Sequence, residues 1–336
     1  MPYENIEAWQ RNGELRGTLA PLKGSAYKMI DAHLHVVNFI QESPGSEALL
    51  RAMNKSNVEK AVIFGLPVVK IWECIDREPP DYYLANDSHC YYYGLTDILV
   101  YDFVNALPFE DQKRFYPLMC GFNPTDKNAI KHVEWLYNRY PRFWHGIGEL
   151  LLRHDDLTAF TYGESPRANH RALWPVYEFA ADKNLPVLLH QNVSSITKKD
   201  HPIYLYELEE ALLDFPKTQF ILAHCGISRR INLPYYFLMI ERLLDQYEHL
   251  SVDISWIIFD EVICPNRIPD KNWLNLIEKY SSRICIGSDL VTRFERLGIE
   301  LHRYDVFLEN LSAQAIADVC RNTAEHLYGK KRDVKS

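Results

Sequence analysis

The sequence predicts a (β/α)8 barrel, an α/β fold, on three observations. Five apolar runs of strand character each stop on a side chain able to bind a divalent metal: Ile30-Asp31-Ala32-His33-Leu34-His35, Gly146-Ile147-Gly148-Glu149, Val187-Leu188-Leu189-His190, Ile221-Leu222-Ala223-His224 and Ile284-Cys285-Ile286-Gly287-Ser288-Asp289. Helix-like stretches separate the runs, at spacings of the roughly 30 residues or more that a strand, a crossover helix and a return to the sheet require. Most of the runs are continuously apolar rather than alternating, which is the pattern of a parallel sheet covered by helices. Eight such units close a barrel and bring the C-terminal strand ends, where catalysis resides in this architecture, to one face.

Taken in order, the strands read Tyr27–His33, Val58–Leu66, Tyr116–Phe122, Gly146–Leu151, Pro186–His190, Gln219–His224, Leu250–Ser255 and Ile284–Ser288. The seventh fills the 65-residue interval between His224 and Asp289, which is too long for a single repeat. Helices are expected over Leu49–Asn57, Asn128–Tyr140, Asn169–Asn184, Tyr204–Asp214, Pro234–Tyr247 and Asn272–Tyr280, and one or two more over Ala313–Tyr328. Leu173, Val176, Tyr177 and Ala180 illustrate the helical spacing, and Gly329 is a common stop signal.

At 336 residues the chain exceeds the roughly 250 typical of such a barrel. The excess is located in an N-terminal extension (1–27) and in an insertion after the second strand (68–97). The barrel proper takes 28–329 and a charged tail 330–336, which makes one domain with decorations. The insertion holds Trp72 and tyrosines 82, 83, 91, 92 and 93, so it reads either as a substrate wall or as a surface or subunit contact.

A net charge of −8 with scattered Lys and Arg offers no basic stripe, so a nucleic-acid partner is not expected. Seven cysteines without close pairing form no disulfide framework. Met1 to Gly24 lacks the apolar core of a signal peptide, and no run approaches the ~18 apolar residues of a membrane span. The expectation is a soluble, cytoplasmic protein with a small-molecule substrate and no membrane partner. The extension and the insertion are candidate contacts for a homo-oligomer.

His33 and His35 stand two apart on a strand, so both imidazoles face one side and can reach one ion. Asp31 faces the same way as a supporting partner. Two incidental histidines would mean little alone, but His190, His224 and Asp289 end three other strands. Neutral imidazole suits zinc and its transition-metal neighbours.

The motifs Asp31-Ala32-His33-Leu34-His35, Leu189-His190-Gln191, Ala223-His224-Cys225-Gly226, Gly287-Ser288-Asp289 and Asn322-Thr323-Ala324-Glu325-His326-Leu327-Tyr328-Gly329 together resemble the amidohydrolase superfamily. More narrowly, the chain resembles its amidohydrolase-related branch of decarboxylases, lactonases and other hydrolases, from about Lys28 to Gly329. The resemblance implies a divalent metal, zinc first and manganese as an alternative, as one or two ions. His33, His35 and His190 would be ligands. His224 would be either a second-metal ligand or a group that orients water and substrate. Asp289 would bind metal and shuttle the proton between attacking water and leaving group, work that a carboxylate beside an activated water can do. Glu149 resembles the bridging glutamate of TatD-like nucleases. It would either bridge two ions or hydrogen-bond substrate or a ligand beside one.

Candidate substrate contacts lie just beyond the strand ends: Arg153 and His154 after the fourth, Arg229 after the sixth, Trp256 at the seventh and Arg293 after the eighth. The leading expectation is a metal-dependent hydrolase of an ester, lactone or amide. The alternatives are a metal-dependent non-oxidative decarboxylase of an aromatic or unsaturated acid and, in another class, a non-catalytic ligand-binding barrel.

Overall fold

A computed structural model of the chain describes residues 24–329 except 155, 156, 159, 196, 230–232 and 234. The expected N-terminal extension, but for residues 24–27, and the charged tail lie outside the described residues. The strands are β1 (Met29–Val37), β2 (Val58–Gly65), β3 (Val68–Lys70), β4 (Cys90–Tyr92), β5 (Phe115–Met119), β6 (Gly146–Leu152), β7 (Val187–Gln191), β8 (Phe220–Leu222), β9 (Leu250–Asp253), β10 (Ile284–Cys285) and β11 (Leu290–Val291).

All but β3 and β4 form one parallel sheet in the order β10-β9-β8-β7-β6-β5-β2-β1-β11. The two outermost members, β10 and β11, are successive parts of one chain segment. Ile284 pairs with Val252 of β9, whereas Leu290 pairs with Leu34 of β1. Between them the Ala32 amide donates to the Ile286 carbonyl (2.9 Å) and the Asp289 amide to the His33 carbonyl (2.8 Å). The sheet therefore closes on itself as a TIM barrel, and the predicted fold class is observed.

Helices follow the strands and cover the outside: α1 (Ser46–Lys55), α2 (Thr96–Asn105), α3 (Ala129–Arg139), α4 (Trp174–Lys183), α5 (Leu205–Asp214), α6 (Tyr236–Gln246) and α7 (Lys271–Tyr280). Each buries one stripe, for example Val176, Tyr177 and Ala180 of α4, against the sheet. Local chemistry sets their ends. Asn184 closes α4 in the left-handed conformation, and the Asp270 carboxylate caps α7 by accepting from the Asn272 and Trp273 amides. The segment Ala313–Tyr328 is helical throughout and widens by one turn at Asp318–Asn322. Its last residues, Leu327 and Tyr328, pack with Ile30, Val62 and Cys285 inside the barrel and close the N-terminal face. Only the C-terminal face remains for a site.

The insertion is partly ordered by a hairpin that the sequence reading did not anticipate, in which β3 and β4 pair antiparallel through Val68 and Tyr92. It packs on Phe39, Leu151 and Leu157 at the C-terminal rim.

Closure requires close approach. A Cβ on Gly287 would lie 2.6 Å from the His33 Cβ and 2.9 Å from the His33 backbone nitrogen. Gly287→Ala is therefore expected to lower stability by about 1–3 kcal/mol, the usual penalty for overpacking. Urea denaturation checks this, and an unchanged midpoint would show that β1 is free to give way.

Candidate metal centre

β1 delivers His33 and His35, β6 delivers Glu149 and β7 delivers His190, all inside regular strands. The other two site residues sit where strands end earlier than the sequence suggests. β8 stops at Leu222 and His224 follows with a φ of 52°. β10 stops at Cys285 and Asp289 has a φ of 52°. Arg153 (47°) and Trp256 (61°), past the ends of β6 and β9, share this left-handed conformation. It is uncommon outside glycine and tends to cluster at functional sites. It brings the side chains of His224, Asp289 and Trp256 to the cluster instead of letting the strand run on.

The structure brings His33, His35, Glu149, His190, His224 and Asp289 together. Glu149 is the common neighbour. Its Oε1 lies 3.0 Å from His190 Nδ1 and 3.5 Å from Nε2 of both His33 and His224. Its Oε2 is 3.6 Å from His35 Nε2. Asp289 Oδ1 faces the β1 pair at 3.4 Å from His33 Nε2 and 3.3 Å from His35 Nε2. Three overlapping sets of three, namely His33/His35/Glu149, Glu149/His190/His224 and His33/His224/Asp289, each hold their ligand atoms within 4.8 Å of one another.

Asp253, at the end of β9, organises this cluster. Its Oδ2 accepts from His33 Nδ1 (3.1 Å), while Oδ1 accepts from the His224 amide (3.0 Å) and the Ser255 hydroxyl (2.5 Å). Ser255 Oγ also pairs with His224 Nδ1 at 2.8 Å. With Nδ1 of both histidines engaged, each Nε2 is turned towards Glu149. Carboxylates commonly orient metal-binding histidines in this way. The sequence reading did not select Asp253, although it ends an apolar strand as the five selected residues do. That rule applied once more would have found it. Asp31 supports the same corner by accepting from the His33 and Ser288 amides, and burial pushes its carboxyl up to about 6.

Charge makes the cluster a candidate cation site. Burial acts to raise the Glu149 carboxyl, but His33 and His190 hold it well below the usual carboxylate range. Asp253 and Asp289 are likewise lowered against burial, the first by His33 and His224, the second by His224 and His35. In return His224 is held well above the ordinary imidazole value, against burial, chiefly by Asp289 and Asp253. Three carboxylates thus draw positive charge into a dry pocket. The Nε2 atoms of His33 and His190 are buried there without a hydrogen-bond partner. Orphaned nitrogens beside ionised carboxylates are the donor set a divalent metal requires.

The expected substrate contacts divide. Trp256 packs on His224 (5.1 Å between ring centroids) and His190 (5.8 Å), and the Arg229 guanidinium lies 5.0 Å from the Trp256 ring centre. His154, which follows β6, stacks on His190 at 4.7 Å; burial, then the charges of His190 and Arg229, keep its imidazole well below the ordinary value and so neutral. Arg153 is a correction. It is spent on Glu207 of α5, through Nε (3.0 Å) and Nη2 (2.5 Å), and lies over Tyr204, so it is an ion-pair partner and not a substrate grip. Arg293 is exposed, and among the described residues no contact joins it to the histidines. Six of the remaining histidines have structural partners, such as Asp97 for His132 and the Leu212 carbonyl for His249.

The family described as Amidohydrolase matches residues 154–330, more than half of the chain, and the chain belongs to that family. No curated protein matches it. An uncharacterised TIM-barrel protein from Bordetella bronchiseptica superposes with a TM-score of 0.57 at 13% identity, over 90% of this chain and 99% of that one. An amidohydrolase from Burkholderia multivorans with bound zinc gives 0.52 at 12% identity, over 90% and 99%. A dihydroorotase from Campylobacter jejuni gives 0.53 at 16%, over 91% and 85%. At these identities the likeness is one of fold. No helix of the described residues is long and apolar enough to cross a membrane.

Two outcomes follow. Arg153→Ala strands a fully buried Glu207, so unfolding should become easier by about 3–5 kcal/mol while the metal content stays as in wild type; a selective rise in KM with unchanged stability would restore Arg153 to the substrate. Asp253→Asn keeps the shape but loses the charge that orients His33 and His224. Competition with a chromogenic chelator should show metal affinity weakened about 10–100-fold.

Proposed function

We propose that the protein is a metal-dependent hydrolase of a small-molecule ester, lactone or amide. The observation that carries this reading is the position of Glu149, shared between the His33/His35 pair and the His190/His224 pair, with Asp289 facing the first pair. His33, His35, Glu149, His190, His224 and Asp289 would hold one or two divalent ions. Zinc is the first candidate, on the nitrogen and carboxylate donors and on the zinc in the Burkholderia multivorans structure. Manganese is the alternative. When bound, such an ion polarises a carbonyl oxygen and lowers the pKa of water from 15.7 to about 7.

The chain supplies the rest. Asp289 is ionised, and it is the most open of the site carboxylates, with 15% of its side chain exposed. It is placed to take a proton from the attacking water and to return it to the departing oxygen or nitrogen. His224, clamped by Ser255 and Asp253, fixes the orientation of the reacting carbonyl. Trp256 and His154 wall the pocket and exclude bulk water.

The test begins with elemental analysis of protein purified without chelators or a histidine tag. Two metal equivalents in wild type, falling to one in Glu149→Gln, support a bridged pair; one equivalent unchanged by the mutation supports a single ion. Esters, lactones and amides are then screened. Asp289→Asn should reduce kcat by about 10²–10⁴-fold, the usual worth of a positioned acid–base group. Release of carbon dioxide from unsaturated acids, with no ester, lactone or amide cleaved, would replace the hydrolase by a decarboxylase.

A further inference from the structure

The walls above the metal centre form a closed circuit. His190 stacks on His154 (4.7 Å) and His154 meets Tyr83 edge to face (5.5 Å). Arg229 Nη1 donates to the Tyr83 hydroxyl (2.6 Å), the Arg229 guanidinium lies 5.0 Å from the Trp256 ring centre, and Trp256 returns to His224 (5.1 Å) and His190 (5.8 Å). Two of these side chains are metal-ligand candidates. The other four come from four separate segments: the insertion, and the loops after β6, β8 and β9. A substrate whose reacting carbonyl meets the histidines extends into this circuit.

One member of the circuit is a cation. Arg229 is solvent-exposed, yet among the described residues no carboxylate forms an ion pair with it. A phenol and an indole face position it without neutralising it. This contrasts with Arg153, whose charge is consumed by Glu207. A guanidinium held in place by the Tyr82 and Tyr83 hydroxyls, with no carboxylate partner among the described residues, is matched by a planar anion, which can accept hydrogen bonds from its remaining donors. Its neighbours Trp256, Tyr83 and His154 are rings, which suit an apolar body carrying a single carboxylate. No second cation contacts this circuit among the described residues, whereas a phosphate dianion would call for more positive charge.

We propose that Arg229, positioned by Tyr83 of the insertion and by Trp256, binds a carboxylate on the substrate, so that this enzyme acts on small carboxylic acids that carry the scissile ester, lactone or amide elsewhere. The inference rests on the metal-site reading above. Tyr83 is then a positioning and specificity-determining residue, acting on the substrate through Arg229.

The test reads binding and so does not depend on turnover. Metal-loaded protein is titrated calorimetrically with the straight-chain dicarboxylates from malonate to adipate and with the monocarboxylate of each chain length. One carboxylate can occupy the metal, and only the second can reach Arg229. At one chain length the dicarboxylate should bind about 10–100-fold tighter than its monoacid, the range expected for a charge-assisted forked pair. Arg229→Gln should abolish that advantage and Tyr83→Phe should reduce it, with metal content, thermal midpoint and monoacid affinity unchanged in both variants. No dicarboxylate advantage at any length, or one that survives Arg229→Gln, would overturn the proposal. Tighter binding of the matching phosphonate would overturn its choice of anion. Failure of every ester, lactone and amide to react would count against the hydrolase alone, whereas cleavage of neutral substrates without a dicarboxylate advantage would count against the carboxylate assignment alone.

Discussion

A single ionised carboxylate, Glu149, lies among four imidazoles from three other strand ends, and the rest of the catalytic face is arranged around that contact. In a buried pocket an unpaired carboxylate is costly unless positive charge or hydrogen bonds surround it. Here His190 supplies the hydrogen bond at 3.0 Å, and the other three imidazoles stand at 3.5–3.6 Å. The backbone yields to make room. Gly148 has a φ of 131°, and a Cβ there would lie 2.4 Å from the Leu188 carbonyl oxygen, so β6 can press against β7 only because this position has no side chain. The Gly146-Ile147-Gly148-Glu149 segment is therefore as much a packing statement as a chemical one.

Asp253 extends the same logic outward. It ties a β1 histidine to the loop after β8, and so couples two strands that are not neighbours in the sheet. With the Nδ1 atoms engaged, neither His33 nor His224 can rotate without breaking a buried hydrogen bond. The imidazoles are thus set before any ion arrives, which lowers the ordering cost of binding one.

The sequence made the barrel legible because each strand is a continuous apolar run and each helix a periodic one. Every barrel strand was anticipated within a few residues. The misplaced ends of the last three strands have a common cause. The sixth, seventh and eighth strands were read through His224, Ser255 and Ser288, whereas the chain leaves the sheet at Leu222, Asp253 and Cys285. Just beyond those points His224, Trp256 and Asp289 take left-handed conformations, which are uncommon outside glycine and which an apolar run does not signal. Helix α2 was missed for a different reason, since the insertion interrupts the strand–helix alternation just before it. The candidate ligand set could be read because it lies on or just past strand ends, where position follows from period. Arg153, Arg229 and Arg293 look alike in sequence, and only tertiary contact separates the one paired with Glu207 from the one held by Tyr83 and the one that no contact joins to the histidines among the described residues.

This division follows from how such a barrel is built. The candidate ligands hang on strands, or within a few residues of strand ends, that every turn of the barrel fixes, so a few motifs suffice to locate them. The candidate substrate contacts hang on loops and on an insertion whose hairpin region packs on the rim through Val68, Tyr83 and Cys90. Nothing in the barrel's repeat determines where those loops meet. Tyr83 illustrates the point: it is one tyrosine among five in an irregular stretch, and its position above His154 depends on the whole hairpin seating against Leu151 of β6. Reaction chemistry is thereby tied to the closure of the sheet, while selectivity is tied to the seating of the insertion. A change in the packing beneath the hairpin, far from any ligand, would move Tyr83 and with it the guanidinium of Arg229, leaving the histidines where they are.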